Sequence, residues 1–327
     1  MTVIGTGATP AAAHAEPTSV GAPLAIPADA RRARVRGTLA AYLALTKPRI
    51  IELLLVTTVP TMFLAAEGVP PITIVVATLI GGTLAAGAAN SLNCFIDRDI
   101  DEVMSRTGHR PLATHEVTPR AALTFGLSLA GVSLAVMAWV NTLSMALTAF
   151  AIAFYVLVYT LGLKRRTASN IVWGGIAGCM PVLIGWSAVT GSLAAPAWLL
   201  FLVVFWWTPP HFWALALKFR DDYAAAGVPM LPVVADPRVV VRRILGHSTA
   251  MVGASLVLWW VAELSVVYLV SAAVLGAAFL AVAIALRSRV VAGQPEQQWK
   301  PMRLFHWSIT YLTLLFVMVG VDPLLPW

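Results

Sequence analysis

The sequence contains few charged residues. Only 11% of its 327 residues are Asp, Glu, Lys or Arg, whereas 59% are hydrophobic. A soluble domain usually carries about 25% charged residues. A surface with so little charge cannot face water on all sides, so the composition excludes an ordinary soluble globular protein. It indicates a chain that lipid surrounds over much of its surface.

Cysteine is also scarce. The chain has only Cys94 and Cys179, and neither belongs to a C-x-x-C pair. A disulfide framework or a zinc site is therefore not expected, and both are predicted to be small packing residues. No apolar segment follows an early basic cluster in residues 1–30, so we expect no signal peptide there. Their richness in Ala, Pro, Thr and Gly predicts a disordered tail over residues 1–38, followed by one membrane domain over 39–327.

Long apolar runs dominate the remainder of the chain. A helix needs about 20 apolar residues to cross a bilayer core, and nine segments approach or exceed this length. They are roughly 49–67, 71–95, 119–139, 142–163, 170–190, 196–217, 246–264, 266–286 and 304–322. The predicted fold class is therefore all-α, a polytopic membrane bundle of nine transmembrane helices. In the sixth span, Pro209 and Pro210 predict a kink or a break.

The positive charges follow the predicted spans. All 22 Lys and Arg residues lie at the N-terminus or in the connections after spans two, four, six and eight. The connections after spans one, three, five and seven contain none. The positive-inside rule then predicts a plasma-membrane protein with a cytoplasmic N-terminus and an external C-terminus. The same rule accounts for the net charge of +7, so we expect membrane lipid and no nucleic acid as a partner.

The connection after the second span carries a regular group of oxygen-bearing side chains. Asn93, Asp97 and Asp101 are spaced i, i+4 and i+8, which puts them within about 80° of one another on a helix. Neighbouring carboxylates repel each other, and a divalent cation reverses that effect. Because Asp and Asn oxygens are hard ligands that suit Mg²⁺ together with substrate phosphates, the spacing predicts a Mg²⁺-diphosphate site.

The connection after the sixth span carries the second acidic group. Lys218 and Asp222 are four residues apart, and Asp221 lies between them. A lysine here is suited to neutralise the oxygens of a departing diphosphate. The same membrane side is predicted to hold further cations, which favour an anion-binding mouth: Lys47, Arg49, Arg106, Arg110, Lys164 and Arg165.

The acidic residues, the basic residues and His211 each also have a purely structural interpretation. Acidic loop residues often form a solvated surface, and basic residues beside spans often serve only to set topology. His211 lies within the sixth span, where an ionisable residue is a functional candidate. It is equally consistent with a histidine that only hydrogen-bonds to a neighbouring helix.

Several stretches resemble a known family. N-C-F-I-D-R-D-I-D-E-V-M-S-R-T-G-H-R-P-L, residues 93–112, resembles the first aspartate motif of UbiA-type intramembrane prenyltransferases. Y-L-A-L-T-K-P-R-I (42–50) and Y-T-L-G-L-K-R-R-T (159–167) resemble further parts of that family. W-T-P-P-H-F-W and D-Y-A-A-A-G-V-P-M-L-P-V narrow the resemblance to its haem-farnesylating branch. One departure is that Lys218 stands where most of the superfamily has an acidic residue, which weakens the case for a second Mg²⁺.

The resemblance implies an activity and a set of site residues. The substrates would be haem B and farnesyl diphosphate, the products haem O and diphosphate, and the cofactor Mg²⁺. Metal binding would fall to Asp97, Asp101 and Asn93, with Asp222 completing the site. Asp97, Asp101, Lys218 and Asp222 are implied to be catalytic. The residues implied for substrate binding are Asn93, Lys47, Arg49, Arg106, Arg110, Lys164, Arg165, Asp221, Tyr223 and His211.

Two alternatives stay open from the sequence. One is a UbiA-type enzyme that prenylates an aromatic acid. The other is a transporter or a haem-handling membrane protein without catalysis. Transporters tend to place polar groups at the bilayer midplane, whereas the acids here cluster at one predicted membrane face. The resemblance also makes a haem A synthase a candidate partner.

Overall fold

Helices account for the architecture of this chain. A computed structural model describes residue 2 and residues 28–326, with the backbone alone for residues 28–36 and 49–54. The described residues contain no β-strand. Their α-helices, α1 to α13 in chain order, are Ala28–Thr46, Pro48–Ala65, Ile72–Ile96, Arg98–Val103, Pro119–Val140, Thr142–Ala153, Asn170–Thr190, Ala195–Lys218, Arg220–Ala225, Leu231–Val234, Pro237–Val261, Val266–Val291 and Pro301–Val321.

The predicted membrane spans correspond to these helices. Eight described segments are long and apolar enough to cross a membrane. They contain α3, α5, α6 with its π-helical continuation Phe154–Leu163, α7, α8, α11, α12 and α13. Helix α2, Pro48–Ala65, coincides with the predicted first span and is 18 residues long. The all-α membrane fold is therefore confirmed, and the helices agree with the nine predicted spans.

The boundaries differ most at α11, which begins well before residue 246. Asp236 caps this helix, since its Oδ1 accepts a hydrogen bond of 2.7 Å from the backbone N of Arg238. Pro237 occupies the first helical position, where its missing N–H costs nothing. The capping signal extends the helix beyond the apolar run that defined the predicted span.

Of the two alternatives for the sixth span, the predicted break is wrong and the kink stays a prediction. Helix α8 runs without interruption from Ala195 to Lys218, through Pro209 and Pro210. Helices α7, α11 and α13 pack against it, and Trp207 on α8 donates its indole N–H to the backbone O of Ser308 on α13, 2.7 Å away. Tertiary packing of this kind allows a membrane helix to tolerate proline.

The nine long helices form a ring of neighbours, and contacts of α2 with α7 and of α8 with α13 cross this ring. Helices α2, α3, α5, α6, α7, α8, α11, α12 and α13 each pack on the next in this order, and α13 returns to α2. Cys94 and Cys179 are free and buried within this packing, as predicted for small packing residues.

The short helices α4 and α9 share a hydrophobic cluster at one end of the ring. Ile100 and Met104 from the first acidic connection pack with Tyr223 and Met230 from the second. Burial of apolar surface between them brings together two connections that are far apart in sequence. This contact positions the candidate site.

The predicted disordered tail, residues 1–38, lies mainly outside the described residues and stays a prediction. Helix α1 begins at Ala28 and includes the last residues of that segment.

Candidate active site

The first aspartate motif lies where α3 passes into α4. Asp97 occupies the junction, yet the i to i−4 pattern continues across it. Its backbone N bonds to the carbonyl of Asn93 at 2.9 Å, and the N of Asp101 bonds to the carbonyl of Asp97 at 2.8 Å. The three side chains therefore stay on one face, as predicted. They are almost fully buried, with exposures of 3% for Asn93, 0% for Asp97 and 1% for Asp101.

Basic side chains surround the two buried carboxylates. Lys164 forms an ion pair with Oδ2 of Asp97, and Arg165 approaches Oδ1 of the same group at 3.4 Å. Arg110 places one guanidinium nitrogen 2.7 Å from both carboxylate oxygens of Asp101. The predicted meeting of cations and carboxylates thus occurs, with direct contact between them.

Arg165 is held mainly by a residue outside the predicted site. Its guanidinium contacts both carboxylate oxygens of Asp99 at 2.7 Å. This hydrogen bonding lowers the pKa of Asp99 to about 2, so Asp99 stays ionised at neutral pH. Asp99 therefore holds Arg165 beside Asp97, which is a positioning contact that the spacing of the motif did not suggest.

Lys47 adds a cation that forms no ion pair with any carboxylate whose side chain the structure describes. It lies between α1 and α2 in a left-handed conformation, with φ of 54°, and donates from Nζ to Oδ1 of Asn93 at 2.8 Å. Burial, together with the charges of Arg110 and Lys164, lowers its pKa to about 8. Counting described side chains alone, the cluster has four cations, Lys47, Arg110, Lys164 and Arg165, against three carboxylates, Asp97, Asp99 and Asp101.

The pKa of Lys47 predicts a pH dependence. The charged form attracts a diphosphate, so kcat/KM for that substrate should fall about tenfold as pH rises from about 7 to about 9, since kcat/KM reports ionisations of the free enzyme. In Lys47→Arg, where the charge persists, this fall should disappear. A wild-type profile that is flat to pH 9.5, or a variant profile that falls equally, contradicts the assignment.

The free energy of unfolding should change in the opposite direction to kcat/KM. Because Lys47 in the unfolded chain binds its proton up to about pH 10.5, whereas the folded protein releases it from about pH 8, this group makes the protein more stable as pH rises above 8.

A π-helix brings a residue into the site that sequence reasoning missed. Thr160, in Phe154–Leu163, accepts a hydrogen bond from Nδ2 of Asn93 at 3.2 Å and donates to the carbonyl of Tyr155 at 2.8 Å. Lys164 directly follows the π-helix, and its backbone N bonds to the carbonyl of Tyr159 at 2.8 Å. The wider turn thus sets the positions of both Thr160 and Lys164. Short π segments are often found at functional sites.

The position of Tyr159 depends on a glycine in α7. A Cβ atom added to Gly174 would overlap the Tyr159 ring, whereas one added to Gly178 in the same helix meets nothing within 4 Å. Gly174→Ala is therefore expected to displace Tyr159 and, through its carbonyl, Lys164. Prenyl transfer in membranes, the activity that the resemblance implies, should fall at least about tenfold, because small displacements of positioning groups are costly. Gly178→Ala should stay within about twofold of wild type, and equal activities for the two variants would refute this role of Gly174.

The second aspartate motif contacts the first connection directly. Ser105 donates its hydroxyl to Oδ2 of Asp222 at 2.6 Å, and the backbone N of Arg106 lies 3.4 Å from the same oxygen. Arg106 also bonds to the hydroxyl of Tyr223 at 3.3 Å. Asp222, Tyr223 and Arg106 thus lie together, but Asp222 contacts a loop segment and does not join the carboxylates of the first motif.

The other predicted residues of the second connection lie apart. The α-helix ends at Lys218, and Phe219 separates it from α9, so the i, i+4 relation of Lys218 and Asp222 does not run along one helix. Lys218 and Asp221 are exposed, and neither forms a hydrogen bond or ion pair within the described part of the chain. Arg49 belongs to the residues whose side chains are not described.

The oxygen-bearing side chains of the site determine whether it could bind a metal ion. Among the described residues, no three His, Cys, Asp or Glu side chains converge in a way that could hold one. Asp97, Asp101 and Asn93 would supply two carboxylates and an amide. Mg²⁺ is commonly bound by one or two carboxylates and completes its shell with substrate phosphates and water. The residues therefore fit a Mg²⁺ ion that is bound with a diphosphate.

His211 lies deeper in the ring, roughly 10 Å along α8 from its end at Lys218. Its Nδ1 is 2.6 Å from the hydroxyl of Ser308, and that hydroxyl donates its proton to the carbonyl of Phe305. Nδ1 must then be the donor, which leaves a lone pair on Nε2. Trp207 and Phe305 stack on the two ring faces, with centroids 4.3 and 4.5 Å away. The imidazole is thus fixed, and within the described residues its Nε2 makes no hydrogen bond.

Comparisons with known proteins agree with this geometry. Residues 54–309 match the model of the UbiA prenyltransferase family. The chain is 62% identical over 282 residues to a protoheme IX farnesyltransferase of Frankia alni, covering 86% of this chain and 96% of that one. The fold is similar to a solved structure of digeranylgeranylglyceryl phosphate synthase, with a TM-score of 0.72, 15% identity, and coverage of 88% and 98%.

A second fold likeness is to a UbiA homologue of Archaeoglobus fulgidus, solved with DMAPP and Mg²⁺. Its TM-score is 0.60 at 16% identity, and the match covers 86% of this chain and 99% of that chain. At such low identity these structures show a similar fold alone. The family match and the relative from Frankia alni show to which family the chain belongs. This chain belongs to the UbiA prenyltransferase family, in its protoheme IX farnesyltransferase branch.

Proposed function

We propose that this chain transfers the farnesyl group of farnesyl diphosphate to a vinyl group of haem B, with addition of water, to give haem O and diphosphate. The observation that carries the proposal is the buried face of Asn93, Asp97 and Asp101 with cations in direct contact. The reaction balances when the C1–O bond of farnesyl diphosphate breaks, C1 bonds to the vinyl carbon, and water adds a hydroxyl and releases a proton.

Asp97 and Asp101, with Asn93, are the residues that would hold Mg²⁺, which supplies charge neutralisation for the departing diphosphate. Lys164 forms an ion pair with Asp97, and Arg110 forms one with Asp101. A diphosphate bound at these carboxylates would therefore also contact the two cations. Preformed cations stabilise charge that develops in the transition state without reorganisation at that moment. No side chain is required as a covalent nucleophile.

The second connection supports the same chemistry in a different way. Asp222 holds the segment at Ser105 and Arg106 against α9, so we assign it the positioning of this segment, and its part in metal binding stays a prediction. Lys218, Arg49 and Asp221 stay candidates for contacts with the substrates. The pattern of positive charge supports our proposal that this site lies at the cytoplasmic face of the plasma membrane, where a haem A synthase remains a candidate partner.

His211 is proposed to contact the iron of haem B through Nε2. The hydroxyl of Ser308 accepts a hydrogen bond from Nδ1–H of His211, and a hydrogen bond of this kind orients metal-binding histidines. His211→Ala should change the visible spectrum of ferric haem bound to the purified protein, and Ser308→Ala should cause a smaller change in the same direction. Ser248→Ala is the control, since this buried hydroxyl bonds only to the carbonyl of Ile244. An unchanged spectrum in His211→Ala would leave His211 as a packing residue.

The proposed function is tested by the haems that cells contain. Haems extracted from cells with and without this protein are separated by reversed-phase chromatography. We expect a more hydrophobic haem only in cells that carry the protein, and its absence from cells carrying Asp97→Asn. If the haems are the same in all three, haem farnesylation is not the function of this chain.

A further inference from the structure

A cavity of about 130 Å³ lies between the last turns of α12 and the start of α13. Its walls combine two kinds of side chain. The apolar part includes Ala281, Ala285 and Leu304, and the polar part consists of Arg289, Lys300 and Arg303. Helix α12 packs on α11 and α13, whereas the aspartate motif follows α3, which packs on α2 and α5. The cavity is therefore separate from the candidate active site.

The three cations of this cavity lack acidic partners. No ion pair involves Arg289, Lys300 or Arg303 in the part of the chain that the structure describes. The nearby Glu296 pairs with Arg220 instead, at 3.1 Å, and does not line the cavity. Three cations around one cavity repel one another, so an anion bound there would relieve an unfavourable arrangement.

One of the three cations, Arg289, is also held in place by the protein. Arg289 donates from its guanidinium to the carbonyl of Trp299 at 3.3 Å. The buried Trp299 ring is fixed in turn, since its indole N–H donates to the carbonyl of Gln294 at 2.7 Å. Lys300 precedes Pro301 at the N-terminus of α13, where the helix dipole favours a negative group. The charges of the three side chains and the dipole of α13 thus both favour an anionic ligand.

The position of the cavity limits the source of that anion. The apolar walls of α12 continue into membrane-facing surface, where Ile284 is 48% exposed. By helix count, the cations stand on the side of the membrane that carries the aspartate motifs. A ligand that fits both the polar and the apolar part of the cavity has a phosphate that contacts the cations and a hydrocarbon chain that packs on the apolar walls. Basic clefts between membrane helices are known to suit such head groups.

We propose that the cleft between α12 and α13 binds one anionic phospholipid, with its phosphate on Arg289, Lys300 and Arg303 and an acyl chain along Ala281 and Ala285. Native mass spectrometry and thermal unfolding of the full-length protein test this, with phosphatidylglycerol and phosphatidylcholine as the two probes. Wild type should retain one phosphatidylglycerol and gain thermal stability from it, but not from phosphatidylcholine. The double variant Arg289→Gln/Arg303→Gln should bind it about 30-fold more weakly, since each cation contributes about fivefold.

Arg287→Gln provides the matched control, because Arg287 is exposed on the same turn of α12 and does not line the cavity. It should retain the lipid as wild type does. Equal loss of lipid in the control and the double variant would show general surface attraction and overturn the proposal. Inorganic phosphate at matched concentration distinguishes the source of the anion: stabilisation by phosphate equal to that by phosphatidylglycerol would overturn the assignment to a lipid.

Discussion

Asp97→Asn and Asp101→Asn are each expected to lower the rate of farnesyl transfer about a thousandfold or more. Asparagine keeps the shape of the side chain but removes the charge that would hold Mg²⁺ and balance Lys164 or Arg110. A thousandfold loss corresponds to about 4 kcal/mol of transition-state stabilisation, which is in the range of lost electrostatic groups in a buried site. The measurement is haem product formed per minute by purified protein in lipid nanodiscs.

The control for this pair is Glu102→Gln. Glu102 belongs to the same short helix, α4, and is exposed, so it loses the same charge away from the buried face. Its activity should stay within about twofold of wild type. Thermal unfolding of all three variants separates lost chemistry from lost structure. A folded Asp97→Asn or Asp101→Asn that keeps a tenth of wild-type activity would show that these carboxylates do not form the metal site.

Lys164→Met is expected to lower kcat for farnesyl transfer about a hundredfold or more. Lys164 contacts the buried Asp97, and the π-helix sets its position through the carbonyl of Tyr159. If it neutralises the departing diphosphate, its contribution grows as the C1–O bond breaks, so kcat falls and not only KM rises. Steady-state kinetics with varied farnesyl diphosphate measure both constants.

Arg166→Met is the matched control for Lys164. It removes a cation from a neighbouring position that is exposed and makes no ion pair in the described part of the chain. Its kinetic constants should stay close to those of wild type. A Lys164→Met enzyme with raised KM but unchanged kcat would mean that Lys164 only binds the ground state, and equal effects of both variants would mean that overall charge is what matters.

Much of the fold could be predicted because it depends on local features of the sequence. Apolar length defined the spans, and the alternation of Lys and Arg between connections supported their number. The face of Asn93, Asp97 and Asp101 could also be predicted, because their spacing matches the helical repeat and the backbone hydrogen bonds continue across the junction at Asp97.

The features that sequence reasoning missed depend on departures from regular helix geometry or on distant contacts. Thr160 reaches Asn93 because a π-helix replaces the end of the fourth span, and no residue pattern signalled it. Lys218 and Asp222 matched a helical spacing, but Phe219 interrupts the helix between them. The contact of Ser105 with Asp222 joins segments more than a hundred residues apart, and it depends on the packing of α4 against α9.

One buried face of Asn93, Asp97 and Asp101, with its cations, is proposed to catalyse farnesyl transfer to haem. The most direct test of this proposal is a reconstituted reaction of the purified protein with farnesyl diphosphate, Mg²⁺, and equal amounts of haem B and an aromatic acid, followed by mass spectrometry. We predict one product, a haem whose mass has increased by one farnesyl group and one hydroxyl group, and no product with Asp97→Asn. A prenylated aromatic acid beside unchanged haem B would contradict this account.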